Sequence, residues 1–413
     1  MNAKPFDVIV FGGTSFVGQL LCRYLASQFN PRTLKWAAAG RSIEKLERMR
    51  QSVAVKGTEI PLIIADAQDE NSLAAMCAQT RVVVSTVGPY ALHGEPLVKV
   101  CVERGIDYCD LSGEVQWIRS MLDRYETTAG KTGARIVHCC GFDSIPSDLG
   151  VHFLQNRAFQ RLGRYCSHVK MRVKAIRGGA SGGTIASIVN VAKEAAENPA
   201  LRSALQNPYL LCPRDRQPKA RQESFGRPRY DNDFDAWLAP FIMAGINTRI
   251  VHRSNALLNY AYGEDFRYDE AMLAGDGRRG RVTAYAIAGA LGGFVAMVGM
   301  APTRWLLERF VLPAPGQGPS PRSQADGFYD LRFLGIFDDG RTIAAKVTGD
   351  ADPGYASTAK MLGQVAASLA DGGKINKTGG FWTPATLLGD TLVDALEQHA
   401  GLSFTLIDTG RRA

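Results

Sequence analysis

Through the first 140 residues, short apolar runs alternate with longer segments whose apolar residues return every three or four positions. The runs predict strands over 7–11, 35–39, 61–65, 81–86, 107–110 and 135–140, and the periodic segments predict helices over 16–27, 42–50, 71–79 and 95–104. Strand and helix in this rhythm build a parallel, doubly wound sheet with helices on both faces. After about Ser147 the rhythm loosens. A strand over 172–176 and an alanine-rich helix over 185–198 precede a basic, proline-containing stretch over 202–229 that reads as an excursion or lid. Residues 329–337 and 342–348 read as an antiparallel pair joined by Asp338-Asp339-Gly340, a turn chemistry that favours tight hairpins. Helices over 358–370 and 383–399 close the pattern, the second opening on a Thr-Pro cap.

One stretch departs from both periods. Residues 282–301, VTAYAIAGALGGFVAMVGMA, carry no formal charge over about twenty positions, enough to cross a bilayer as a helix. Arg278, Arg279 and Arg281 precede it, Arg304 and Arg309 follow, and a connector rich in proline and glycine over 312–323 comes next. Its four glycines keep it only mildly hydrophobic, so it reads first as a buried or surface-docking helix, with membrane contact and then a true span as the alternatives.

Length and composition narrow the class. With 413 residues, 46% hydrophobic and 21% charged, the chain has enough apolar material for a core in each of two domains or more. The excess of 48 Lys and Arg over 40 Asp and Glu gives a net charge of +8, spread too thinly to indicate nucleic acid. Eight cysteines without a CxxC pair argue against a metal site or a disulfide framework and fit a reducing, cytoplasmic setting. The N-terminus reads as a first strand rather than a signal peptide.

Immediately after the first strand stand Gly12-Gly13-Thr14-Ser15-Phe16-Val17-Gly18, opening into a helix. A glycine turn there brings backbone N–H groups and a helix N-terminus to a pyrophosphate, which the helix dipole favours. Ser15 stands where the GxxGxxG variant has its middle glycine. Its hydroxyl can reach a phosphate, while its side chain leaves less room for backbone approach. The second strand ends in Gly40-Arg41-Ser42, without the acidic residue that binds the ribose hydroxyls of NAD. Arg41 can pair with a 2′-phosphate, and Ser42 can add a hydrogen bond, so NADPH is the expected cofactor. Asp66 after the third strand, and Gly88 and Pro89 after the fourth, should border the adenine and nicotinamide ends.

The set GGTSFVG, AAAGRS, STVGPY with His93-Gly94, DYCDLSGE and CGFDSIPSD, followed by NTRIVHRSNAL, DPGY and TPATLLGD, resembles the saccharopine dehydrogenase-like oxidoreductases. The branch it most resembles is that of the trans-acting enoyl reductases of mycobacterial polyketide lipid synthesis. The resemblance implies an NADP-binding Rossmann domain over 1–147, a substrate domain over 148–355 and C-terminal helices over 356–413 returning to the first domain. It also implies an α,β-unsaturated acyl substrate on a polyketide synthase carrier domain, towards which the basic stretch 202–229 could turn. Hydride addition to such a substrate needs a donor at the thioester carbonyl and a proton for the α-carbon. Tyr90 is the first candidate, then His93 and Asp143, with Tyr108 and Glu114 in neighbouring loops. Two alternatives remain open: reduction of an imine or amino-acid conjugate, and a non-catalytic nucleotide-binding protein at membranes or lipid stores.

Overall fold

The computed structural model describes residues 4–407 apart from 54–58, 179–181, 224, 301, 304, 306–317, 319 and 374. Most of the connector 312–323 therefore lies outside the described residues, as do Arg304 and Arg309.

The first of two seven-stranded sheets runs Gly380–Trp382, Arg135–Val137, Asp107–Asp110, Thr80–Ser85, Phe6–Phe11, Trp36–Gly40, Leu62–Ile64. All its pairings are parallel. Its strand Phe6–Phe11 is a nearly continuous apolar run because helices cover both faces, and Val8, Ile9 and Val10 have no exposed surface. The strand expected over 135–140 stops at Val137. Beyond it Cys139 turns to a φ of 61°, and the N–H groups of Cys139 and Cys140 go to the Asp110 carboxylate and carbonyl, at 3.3 and 2.8 Å, instead of a strand partner.

The second sheet is mixed: Leu402–Ile407, Thr342–Gly349, Phe328–Ile336, His168–Arg177, Arg267–Leu273, Ala236–Ala239, Arg229–Asp231. The expected hairpin forms its second and third strands, turned at Gly340, whose φ is 83°. At its heart the fully buried Arg172 pairs with Asp269 at 2.6 Å and Asp231 at 2.9 Å, while His168 reaches Asp269 at 2.7 Å. Those partners hold the Asp269 carboxyl below its ordinary pKa even though burial alone pushes it up.

Helix Ile145–Leu162, which the periodicity did not single out, carries the chain from the first sheet to the second. Its Gly150 lies under the Phe333 ring so closely that a Cβ would meet it at 2.3 Å. Helix Ala244–Leu257 completes the junction through the very residues that carried the resemblance. Arg253 donates to the Phe381 and Leu211 carbonyls and pairs with Glu126, and Asn247 donates to Ser147 and Glu270. The C-terminal residues serve both sheets. Helix Thr358–Asp371 packs on helix Phe16–Gln28, with Gly363 against Tyr24 and Leu21, and the last strand joins the mixed sheet. The single helix expected over 383–399 is two, Pro384–Leu387 and Gly389–His399, broken where Gly389 takes a φ of 49°.

Most of the apolar stretch lies in helix Gly277–Gly299, of which only Gly280, Ala284 and Val298 are buried, the last in a small cluster with Val189.

Candidate active site

The glycine turn sits at the carboxyl end of strand Phe6–Phe11. Gly12 has a φ of 88°, and a Cβ there would meet Thr86 and Val87 at 2.7 Å. A Cβ on Gly18 would lie 2.2 Å from the Gly12 carbonyl oxygen. Gly13 fits above the alanine strand Trp36–Gly40, where Ala38 leaves just enough room. Ser15, by contrast, has an extended backbone (φ −66°, ψ 161°) that needs no glycine. Its hydroxyl caps helix Phe16–Gln28, accepting from Gly18 N–H at 2.9 Å and pairing with Thr86 Oγ1 at 2.9 Å. The serine thus caps the helix at the glycine turn. The first-turn amides of Phe16 and Val17 have no acceptor within their helix and, with Thr14 beside them, form the cradle. These residues fit a dinucleotide pyrophosphate: two positions that admit no side chain, and a helix N-terminus behind them.

Arg41 is exposed at the end of the second strand and, among the described residues, pairs with no carboxylate. Ser42 is engaged locally instead of facing a ligand. Its hydroxyl donates to Glu44 at 2.7 Å and accepts from Lys45 N–H at 3.3 Å, and the first of these bonds draws the Glu44 pKa down. Asp66 likewise closes its own turn by accepting from Gln68 N–H at 3.0 Å. Gly88 is exposed and Pro89 half-buried in the loop after the fourth strand.

That loop is held from below. The buried Glu114 carboxylate accepts from the N–H groups of Tyr90 at 2.7 Å and Ala91 at 3.0 Å, and from the Ser187 hydroxyl at 3.0 Å. Burial raises its pKa while those three bonds pull the other way. Tyr90 does not face a substrate: its hydroxyl donates to the Ser85 carbonyl at 3.0 Å and accepts from Leu111 N–H at 3.1 Å. With its proton committed and its pKa pushed well up by burial, Tyr90 positions the loop. Tyr108 is fully buried and donates to Asp110 at 3.0 Å.

Asp110 is the hub that the sequence reading passed over. Besides Tyr108 it takes Ser112 Oγ at 2.7 Å and His138 Nδ1 at 2.8 Å. The far nitrogen of His138 is buried without a partner among the described residues, its ring enclosed by Trp117 and Phe381. The signal available was the acidic end of DYCD opposite the histidine of HCC, one parallel strand away.

His93 and Asp143 have no side-chain partner among the described residues and lie in the segments that follow the carboxyl ends of strands Thr80–Ser85 and Arg135–Val137, the side of the sheet where a crevice holds ligands in such folds. His93 is half-buried at the end of the short helix Tyr90–His93, with no side-chain partner among the described residues. Asp143 stands at the start of the inter-sheet helix with Oδ2 3.7 Å from where a Gly113 Cβ would be. Desolvation pushes its pKa up to about 6, so its carboxyl is protonated below that pH and about a tenth of it still holds a proton at pH 7.

A parallel nucleotide-binding sheet with this cradle and a free arginine in place of the usual acid, joined to a mixed-sheet domain, defines an NADPH-dependent oxidoreductase. Residues 8–137 match the family described as the saccharopine dehydrogenase NADP binding domain. A protein of Mycobacterium bovis named trans-acting enoyl reductase is 36% identical over 405 residues, 95% of this chain and 96% of its own. One of Mycobacterium ulcerans with the same name is 35% identical, covering 96% of each. The fold matches that of the L-Glu-forming saccharopine dehydrogenase of Saccharomyces cerevisiae, with a TM-score of 0.57 at 15% identity, covering 98% of this chain and all of that one. The chain belongs to the saccharopine dehydrogenase-like oxidoreductases, in the group of the trans-acting enoyl reductases.

The Arg41→Ala variant tests the 2′-phosphate contact. A charge-assisted hydrogen bond contributes about 1.5–3 kcal/mol, so NADPH affinity should fall about ten- to a hundredfold with little change for NADH. Fluorescence titration with both nucleotides reads this directly, and an unchanged NADPH preference would remove Arg41 from the site.

Proposed function

We propose that this oxidoreductase reduces the double bond of an α,β-unsaturated acyl thioester presented in trans on the carrier domain of a polyketide synthase. The observation that carries the reading is the whole-length likeness to proteins named for that activity. The two groups without a side-chain partner on that side of the sheet support it. NADPH, held by residues 12–18 and Arg41, supplies a hydride. Asp143 in its protonated form, which predominates below about pH 6, delivers the proton that the α-carbon requires, and the His93 N–H donates to the thioester oxygen as negative charge gathers there. Glu114 and Tyr90 keep the loop that carries His93 in place.

The surface supports a docked carrier in a restricted way. Of the basic stretch 202–229, Arg214 and Arg229 are already paired with Asp123 and Glu223, which leaves Arg202, Arg216, Lys219, Arg221 and Arg227 exposed for an acidic partner.

Absorbance at the NADPH band after mixing with a panel of enoyl thioesters is the deciding measurement. Consumption with crotonyl or longer enoyl thioesters is the expected outcome. Consumption only with an amino acid and keto acid together would replace the enoyl reading by reduction of an imine conjugate. Tight NADPH binding with no turnover on either would replace it by a nucleotide-binding role.

A further inference from the structure

Helix Gly277–Gly299 has a mean hydropathy of 1.7 over its apolar window, yet only 11% of that window is buried. A helix on the surface of a globular protein normally turns one apolar stripe inward and a polar face outward. This one is apolar on the outward side as well. Val282 is 71% exposed, Tyr285 53%, and Val295, Met297 and Met300 are exposed along the same helix. Its supports are narrow: Tyr285 and Arg281 lean on Trp237 of the mixed sheet's strand Ala236–Ala239, and Val298 and Phe294 meet Val189 and Ala192 of helix Gly182–Glu197. Contiguous apolar surface of this extent marks a place of association.

The charge distribution selects the occupant. All the charges of the helix are arginines at one end: Arg278, Arg279 and Arg281 are exposed, and among the described residues none pairs with a carboxylate. Asp276, just before the helix, is the only acid beside them in sequence. The remaining eighteen positions carry no charge, with glycines at 289, 292 and 293 open to the outside. A coiled-coil partner or a second copy would require a narrow heptad seam, whereas here the apolar residues surround the exposed side. An uncharged face with guanidinium groups at its edge matches the acyl boundary and anionic headgroups of a bilayer. Trp305, 61% exposed beyond the far end, is the residue type that settles at such an interface.

We infer that helix Gly277–Gly299 docks this protein on anionic lipid bilayers, with its apolar side in the interfacial region and Arg278, Arg279 and Arg281 on the headgroups. The docked helix stands one helix away from the crevice, because helix Gly182–Glu197, which it touches through Val189, also carries Ser187, the partner of Glu114 beneath Tyr90. If the acyl reading above holds, and this consequence rests on it, docking brings the crevice to the lipid phase from which a long acyl chain comes.

Flotation of the full chain with phosphatidylcholine vesicles, with and without a third of phosphatidylglycerol, tests the inference. The protein should float with the anionic vesicles and stay behind with the neutral ones. The pair Val282→Glu and Val295→Glu, both on exposed positions, should abolish flotation. Arg278→Ala and Arg279→Ala should weaken it by about fivefold each. Unchanged NADPH binding in all four substitutions confirms folding. Failure of the wild type to float, or flotation undiminished by the glutamates, overturns the inference. Light scattering that shows a dimer broken by the same glutamates, without lipid binding, assigns the face to a second copy and overturns it too. Turnover on a soluble enoyl thioester is read separately, so lost docking and a mistaken reaction give different results.

Discussion

Replacing Asp143 by asparagine lowers turnover on an enoyl thioester by about 10²- to 10⁴-fold, the range a positioned general acid supplies, while NADPH affinity stays close to that of the wild type. The amide keeps the shape and burial of the carboxyl group but has no acidic proton. The pH profile separates this role from a structural one. The Asp143 pKa is raised to about 6 because the carboxylate form is desolvated. The protonated form is the donor, so wild-type turnover is full below about pH 6 and falls about tenfold for each pH unit above it. In Asp143→Asn that descending limb disappears. A variant that kept wild-type turnover, or lost activity but retained the limb, would show that another group delivers the proton, with His93 next to be tried.

The second large effect is on the cofactor. Gly18→Ala places a methyl group 2.2 Å from the Gly12 carbonyl oxygen and 2.9 Å from Ser15 Oγ, and the nearer neighbour is backbone that cannot rotate away. Overpacking of this kind costs about 1–3 kcal/mol. The strain falls on the turn itself, so NADPH affinity should drop about ten- to a hundredfold. Gly40→Ala is the matched control, since its Cβ would meet Leu46 at an ordinary 3.7 Å. Circular dichroism shows whether each variant folds, and fluorescence titration shows whether it binds. Equal affinities for the two variants would mean that the turn does not hold the pyrophosphate.

These two residues differ in how far the sequence disclosed them. Gly18 was legible because its role follows from local order: a strand, a glycine turn and a helix in succession. Arg41 was legible for the same reason, as the residue standing where an acid is expected. Asp143 was one name among several, and nothing in CGFDSIPSD distinguishes it from Asp148, also buried and also raised to about 6, whose carboxylate is used up by Ser254 and Ala385 N–H. Tyr90 shows the opposite failure. Its place in STVGPY suggested a free donor, but Ser85 and Leu111 take both hydrogen-bonding capacities of its hydroxyl.

The pattern of apolar and polar positions by itself determined the parallel sheet and the hairpin of the second sheet, and the local motifs at residues 12–18 and 41 pointed to NADPH. All of these rest on periodicity or on neighbours within about twenty residues, where chain connectivity fixes the geometry. The tertiary structure alone decided which polar groups are spent and which are open. Glu114 meets Ser187 across 73 residues, Asp110 meets His138 across 28, and Arg253 meets Phe381 across 128. It also decided that helix Gly277–Gly299 is largely exposed, with three buried residues, where its sequence read first as a buried or surface-docking helix. The reason is physical: desolvation and hydrogen-bond satisfaction depend on what the folded chain brings alongside a group, and that is set by contacts between residues far apart in sequence.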